Sequence, residues 1–221
     1  KGEIDNLVEP YEPLNKMIQH MYIENSWKRF DKFWKDVDFD KTARWLALLN
    51  IVGGVHSDYA HNHTFYFDPT KGKLEPITSD IMGLGALLYP VRFDYITDPY
   101  VPSYTSPLNE IINPFIDVAL RDPEFNHYRN KVLYESLNTI ASVENQISLL
   151  ENIYELIEKD LKADKHKAFI ANTFSGFFRI PYSNFQLERY KRDVLDWVKL
   201  RNNFLLETLD KVLVNAEIAK D

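Results

Sequence analysis

The sequence predicts a mainly α fold that carries one small β element. Three observations lead there. Apolar residues recur at helical spacing over most of the chain, one short aromatic stretch is bounded by turn residues, and the only adjacent glycines stand where a helix would stop.

The elements follow in order. "PLNKMIQHMYI", from Pro13, sets Leu14, Met17, Ile18 and Met21 on one helical face. "SWKRFDKFWKDV" does the same with Trp27, Phe30, Phe33 and Trp34. Asp40 is then placed to cap "KTARWLALLNIVGG", a near-continuous apolar run that predicts a buried helix stopped by Gly53 and Gly54. "HTFYFDPTKGKLEPIT" reads as a hairpin, with an aromatic strand, a turn at Asp68-Pro69-Thr70-Lys71-Gly72 and a short return strand. "SDIMGLGALL" follows as a glycine-punctuated loop. Residues 89–115, with Pro90, Pro99, Pro102, Pro107 and Pro114, predict a long irregular segment. Helices return after Asp122-Pro123. Phe125, Tyr128, Val132 and Leu133 mark one, and Ile147, Leu150, Ile153, Leu156 and Ile157 mark a second, which opens on a capping-box-like Ser142 to Gln146. "NFQLERYKRDVLDWVKLRNNFLLETLDKVL" is a third long helix or a broken pair. Trp27, Phe30, Trp45, Trp197 and Phe204 are the expected aromatic core.

Composition limits what such a fold would do. At 221 residues, 45% hydrophobic and 27% charged, the chain is an ordinary globular protein, and no composition shift divides residues 1–221 into two domains. A net charge of −7 argues against a nucleic-acid surface as the main function. The chain contains no cysteine, so disulfides and thiolate metal sites are impossible. No apolar run reaches transmembrane length, and "KGEIDNLVEP" has no apolar signal region. With neither an initiator Met nor a strand pattern ahead of the first helix, the chain reads as part of a longer protein.

The chemistry concentrates in "GGVHSDYAHNHTFYFD", residues 53–68, which holds three of the six histidines. Phosphoryl transfer needs one carboxylate to orient a nucleophile, a second to hold a divalent cation on the nucleotide phosphates, and a further ligand to complete the metal shell. A hairpin brings such groups together. Asp58 precedes the first strand, Asp80 follows the second, and Asn62 and His63 lie four and five residues after Asp58.

At these residues the sequence resembles a known family. "HSDYAHNHTFYFDPTKGKLEPITSDIMG" is similar to the catalytic segment of the spore-coat protein H (CotH) kinases, a family of atypical protein kinases. "FWKDVDFDKTARWLALLNIVGG", "LRDPEFNHYRNKVLYESL" and "LDWVKLRNNFLLETL" resemble its flanking helices, so the likeness runs over residues 30–210. The resemblance implies the helical C-terminal lobe of an atypical protein kinase, with the upstream nucleotide-binding lobe missing from this chain. It implies ATP and Mg²⁺ or Mn²⁺ as cofactors and Ser or Thr of a protein as substrate. Asp58 falls at the catalytic carboxylate and Asp80 at the metal-binding one, while Asn62 and His63 assist in holding metal and nucleotide. The family also implies a bacterial surface, secreted or spore-coat location.

The sequence departs from the family pattern at several points. His63 occupies the family's metal-binding Asn position, with Asn62 one residue early. Ser79 replaces the Trp before the metal-binding Asp, and Met82 replaces an acid two residues after it. These changes keep open a catalytically degenerate member that serves as a binding or coat-assembly module. A zinc hydrolase is a third reading, because His56, Asp58, His61 and His63 are ligand types at close spacing and Asp80 would add an oxygen.

Overall fold

The computed structural model describes residues 11–54, 63–78, 100–102, 110–112, 114–165, 168–173, 176–181 and 183–218. Among them the chain is mainly helical, with seven helices and three two-stranded antiparallel sheets.

Helices α1 (Glu12–Met21) and α2 (Ser26–Asp36) pack against each other. Asn25 caps α2 by accepting from the Lys28 amide at 3.0 Å. The turn between the helices is held by Arg29, whose Nε donates to the Ile23 carbonyl at 2.7 Å. His20 pairs with the Asp36 carboxylate across the two helices. Of the expected aromatic core, Trp45 and Trp197 are buried, and Phe30 and Phe204 are partly buried. Trp27 is not core: it is 80% exposed at the solvent end of α2.

Helix α3 (Phe39–Val52) is the centre of the fold, with eight buried residues including Trp45, Leu46 and Leu49. Its cap is Asp38 rather than Asp40. Asp38 holds the extended backbone that a cap requires, and its side chain accepts from the Lys41 amide. Asp40 sits inside the first turn, where its carboxylate receives Arg44 Nε at 2.9 Å and the Tyr128 hydroxyl at 2.7 Å.

The predicted hairpin is β1 (Thr64–Asp68) paired with β2 (Lys73–Ile77). Asp68 builds its turn by accepting from the Thr70 amide at 2.9 Å and the Thr70 hydroxyl at 2.7 Å, and Gly72 takes the left-handed conformation at φ 67°. Within the segment expected to be irregular, β3 (Tyr100–Pro102) pairs with β4 (Glu110–Ile112), and α4 (Pro114–Arg121) begins at its last proline. Proline is compatible with that start, because the first turn of a helix has no use for its missing N–H.

Asp122 then caps α5 (Pro123–Leu137), and residues 138–142 break the helical run before α6 (Val143–Ala163). Ser142 caps α6 through the Asn145 amide, whereas Gln146 donates to the Ala141 carbonyl, so the two do not form a reciprocal box. Strands β5 (Ala168–Thr173) and β6 (Gly176–Pro181) form a further antiparallel pair, outside the elements expected from the sequence. α7 (Asn184–Ile218) is one continuous helix of 35 residues. No helix among the described residues is long and apolar enough to cross a membrane.

Two adjoining apolar clusters share α3. Trp45, Leu46 and Leu49 pack with Met17, Phe33, Leu74, Phe115 and Phe125. Ala47 and Ile51 pack with Val132, Leu133, Leu205 and Leu209 of α5 and α7. Burying each large apolar side chain contributes about 1.5–3 kcal/mol, so α3 is the piece on which both halves depend.

Candidate active site

The described residues form the frame around the segment that the sequence singled out. Residues 55–62, with His56, Asp58, His61 and Asn62, lie outside the described residues, as do Asp80, Ser79, Met82, Gly83 and Gly85. The frame has three parts: the exit of α3, the entry to β1, and the docking of the hairpin.

The exit of α3 is tightly specified. Gly53 is left-handed at φ 63°, its amide donates to the Asn50 carbonyl, and the Gly54 amide donates to the Leu49 carbonyl at 2.8 Å. α7 closes over this end. A Cβ at Gly53 would come within 3.0 Å of the Trp197 ring. Arg201, only 1% exposed, donates to the Asn50 carbonyl from Nε at 2.9 Å and from Nη2 at 2.6 Å. The Asn50 side chain turns back to the Leu46 carbonyl at 3.0 Å.

His63 stands at the entry to β1 and lies among aromatic rings. Trp45 stacks on it with centroids 5.3 Å apart, and Phe65 and Phe115 approach at 4.9 and 5.1 Å. Burial lowers the imidazole from its ordinary 6.5 to about 4, so the ring is neutral at pH 7.

The hairpin docks on the start of α3. Val37 and Leu74 form a parallel bridge, and the Asp38 amide donates to the Leu74 carbonyl at 2.9 Å. Leu74 enters the core, and Lys73 Nζ reaches the Trp34 carbonyl at 2.9 Å. Lys71, from the turn, meets Glu75 at 2.6 Å and Asp38 at 3.2 Å, and these carboxylates hold it protonated above the usual ammonium range. Burial raises the Asp38 carboxyl, but the Lys41 amide and the Lys71 ammonium outweigh it and leave it below its ordinary value. The turn motif is therefore an electrostatic clasp between hairpin and helix.

Of the sequence-predicted site residues, the structure places His63 and leaves Asp58, Asn62 and Asp80 outside the described residues. Among the described residues, no three His, Asp or Glu side chains are grouped to hold a metal ion. Sequence reasoning misses buried polar residues of the molecule, among them Asn50, Arg129, Asn130, Arg201 and Asn202, of which Asn50 and Arg201 meet in this frame. A signal for them existed. Arg201 falls on the apolar stripe of Val194, Trp197, Val198, Leu205 and Leu209, and Arg129 falls between Phe125 and Leu133. A cation at a core position of an amphipathic helix implies a specific buried acceptor. For Arg129 one acceptor is Asn126 Oδ1 at 2.6 Å.

Compared with known proteins, the chain matches no family model and no curated protein.

Proposed function

We propose that the chain is the helical lobe of a CotH-like, metal-dependent atypical protein kinase that transfers phosphate from ATP to Ser or Thr of a protein. One observation supports this most. The hairpin between Asp58 and Asp80 is docked on the helix that leads into Asp58, so both flanks of the acidic segment are carried by elements packed on one another. A carboxylate pair that must converge on one phosphoryl group needs that support.

Asp58 would orient the attacking hydroxyl. Asp80 and Asn62, as oxygen donors, fit Mg²⁺ or Mn²⁺, whose charge would neutralise the phosphates. His63 fits a hard cation less well, being a nitrogen donor among three aromatic rings. In this reading it anchors the hairpin, and ligation falls to Asp80 and Asn62.

The test is labelled phosphate transfer by the full-length protein with ATP and Mg²⁺ or Mn²⁺, to a generic protein substrate and to itself. Asp58→Ala and Asp80→Ala should each lower the rate by at least about 100-fold with little change in melting temperature. The caged His63, at the family's Asn position, favours a second reading, a degenerate module that binds a partner without phosphate transfer. Neither transfer nor an ATP-dependent melting shift in the intact protein would replace the first reading with the second.

A further inference from the structure

We infer that Arg201 is a positioning residue that sets the direction in which the chain leaves α3 toward Asp58. This rests on the kinase reading for its consequence, but its geometry is independent of it. Arg201 and Asn50 are 151 residues apart, yet two guanidinium N–H groups converge on the one carbonyl. That carbonyl lies in the last turn of α3, where the Gly53 amide reaches it at 3.3 Å and a cation is favoured by the helix dipole. Burying a guanidinium is costly, and an apolar residue in the same stripe would pack without that cost. What an apolar residue would not do is hold a backbone acceptor three residues before the left-handed Gly53.

The rest of the junction is built to the same end. The Gly54 amide is tied to Leu49, the Trp197 ring would crowd a Cβ at Gly53, and the guanidinium packs on Phe204 at 5.7 Å. α7 therefore fixes both the last turn of α3 and its exit. Four residues later the chain reaches Asp58, whose orientation toward a hydroxyl matters in the transition state far more than in ATP binding.

The experiment compares the full-length wild type with Arg201→Met and Arg201→Gln. Gln keeps one donor and serves if the Met variant does not fold. Amide hydrogen exchange at Gly54 should quicken at least tenfold in either variant, with exchange in α1 and α2 unchanged. In phosphate transfer, kcat per folded molecule, with the folded fraction measured by circular dichroism, should drop at least tenfold while KM for ATP stays within about twofold. Unchanged Gly54 exchange in a folded variant overturns the clamp. Faster exchange with unchanged kcat overturns the positioning role. Faster exchange in the variants, with a wild type that transfers no phosphate, sustains the clamp and defeats the kinase reading instead.

Discussion

Helices α3 and α6 are both apolar at helical spacing, and the fold treats them in opposite ways. α3 buries eight of its residues and touches both core clusters. α6 buries none. Ile147 and Leu150 are half-buried, but Leu149, Ile153, Leu156 and Ile157 face solvent, Leu156 at 81% exposure. The difference lies in the neighbours. α3 has helices, a hairpin and α7 around it, whereas α6 has α7 along one side. Periodicity reveals that a helix has an apolar face; it does not reveal how many partners will cover it.

The same substitution should therefore have very different effects in the two helices. Leu46→Ala removes a fully buried side chain from the middle of α3 and should cost about 2–5 kcal/mol. Leu156→Ala, in α6, should stay within about 0.5 kcal/mol. Urea unfolding of both variants checks this. Equal losses would mean that α6 is covered in solution and that the contrast between the helices is false.

A pH titration sharpens the contrast, because the α3 side contains a buried titrating group. The unfolded His63 imidazole takes up its proton near pH 6.5, the folded one only near pH 4. Between those values the unfolded state binds more protons, so the contribution is complete above pH 6.5 and is lost as pH falls toward 4. A shift of that size corresponds to roughly 3 kcal/mol. His63→Phe keeps an aromatic ring in the cage and should flatten the stability profile across this window. Asp38 and Asp68, held below their ordinary 3.8, act separately: their contribution disappears only as pH falls beneath that value. A wild type with flat stability from pH 6.5 to 4.5 would show that the cage admits the charged ring.

The legible parts of the sequence were local. Gly53-Gly54 and the Asp68–Gly72 turn each state their own backbone geometry, and the structure has both, whereas the helices expected after Asp122-Pro123 already begin with α4 at Pro114. The cap of α3 was misplaced by two residues because Asp38 and Asp40 have the same side chain, and only the backbone conformation distinguishes them. Trp27 was misread because its partners, had it been core, would have been set by tertiary packing. The β5–β6 hairpin connects two helices whose own signals dominate the surrounding sequence. At the site, the hairpin and its flanking helix were legible. The Arg201 bond to Asn50 was not, since no local rule couples residues 151 positions apart.

A smaller effect tests how closely the exit of α3 is packed. Gly53 and Gly72 are both left-handed, at φ 63° and 67°. Alanine at either position should cost about 1 kcal/mol for the backbone alone. At Gly72 nothing lies within 4 Å of the new Cβ, but at Gly53 the Trp197 ring stands at 3.0 Å. Gly53→Ala should exceed Gly72→Ala by about 1 kcal/mol and alter Trp197 fluorescence. Equal costs would indicate that α7 yields at this point and that the exit is not rigidly held.

A further contrast is between the caps of the two helical regions. Asp122 caps α5 by accepting from the Glu124 amide at 3.0 Å, and its other oxygen takes the Trp34 indole N–H at 2.6 Å. It is 7% exposed, so removing it also leaves a partly buried indole donor without that acceptor. Ser142 caps α6 with one longer bond, 3.3 Å from the Asn145 amide, at an exposed helix start where water can replace it. Asp122→Ala should therefore cost about 2 kcal/mol and Ser142→Ala about 0.5 kcal/mol. Asp122→Asn separates the two jobs of the carboxylate, because an amide oxygen still caps the helix while its NH₂ group meets the indole N–H donor to donor. Its cost should fall between the other two. If Asp122→Asn equals wild type, the bond to Trp34 contributes nothing and the two caps differ in geometry alone.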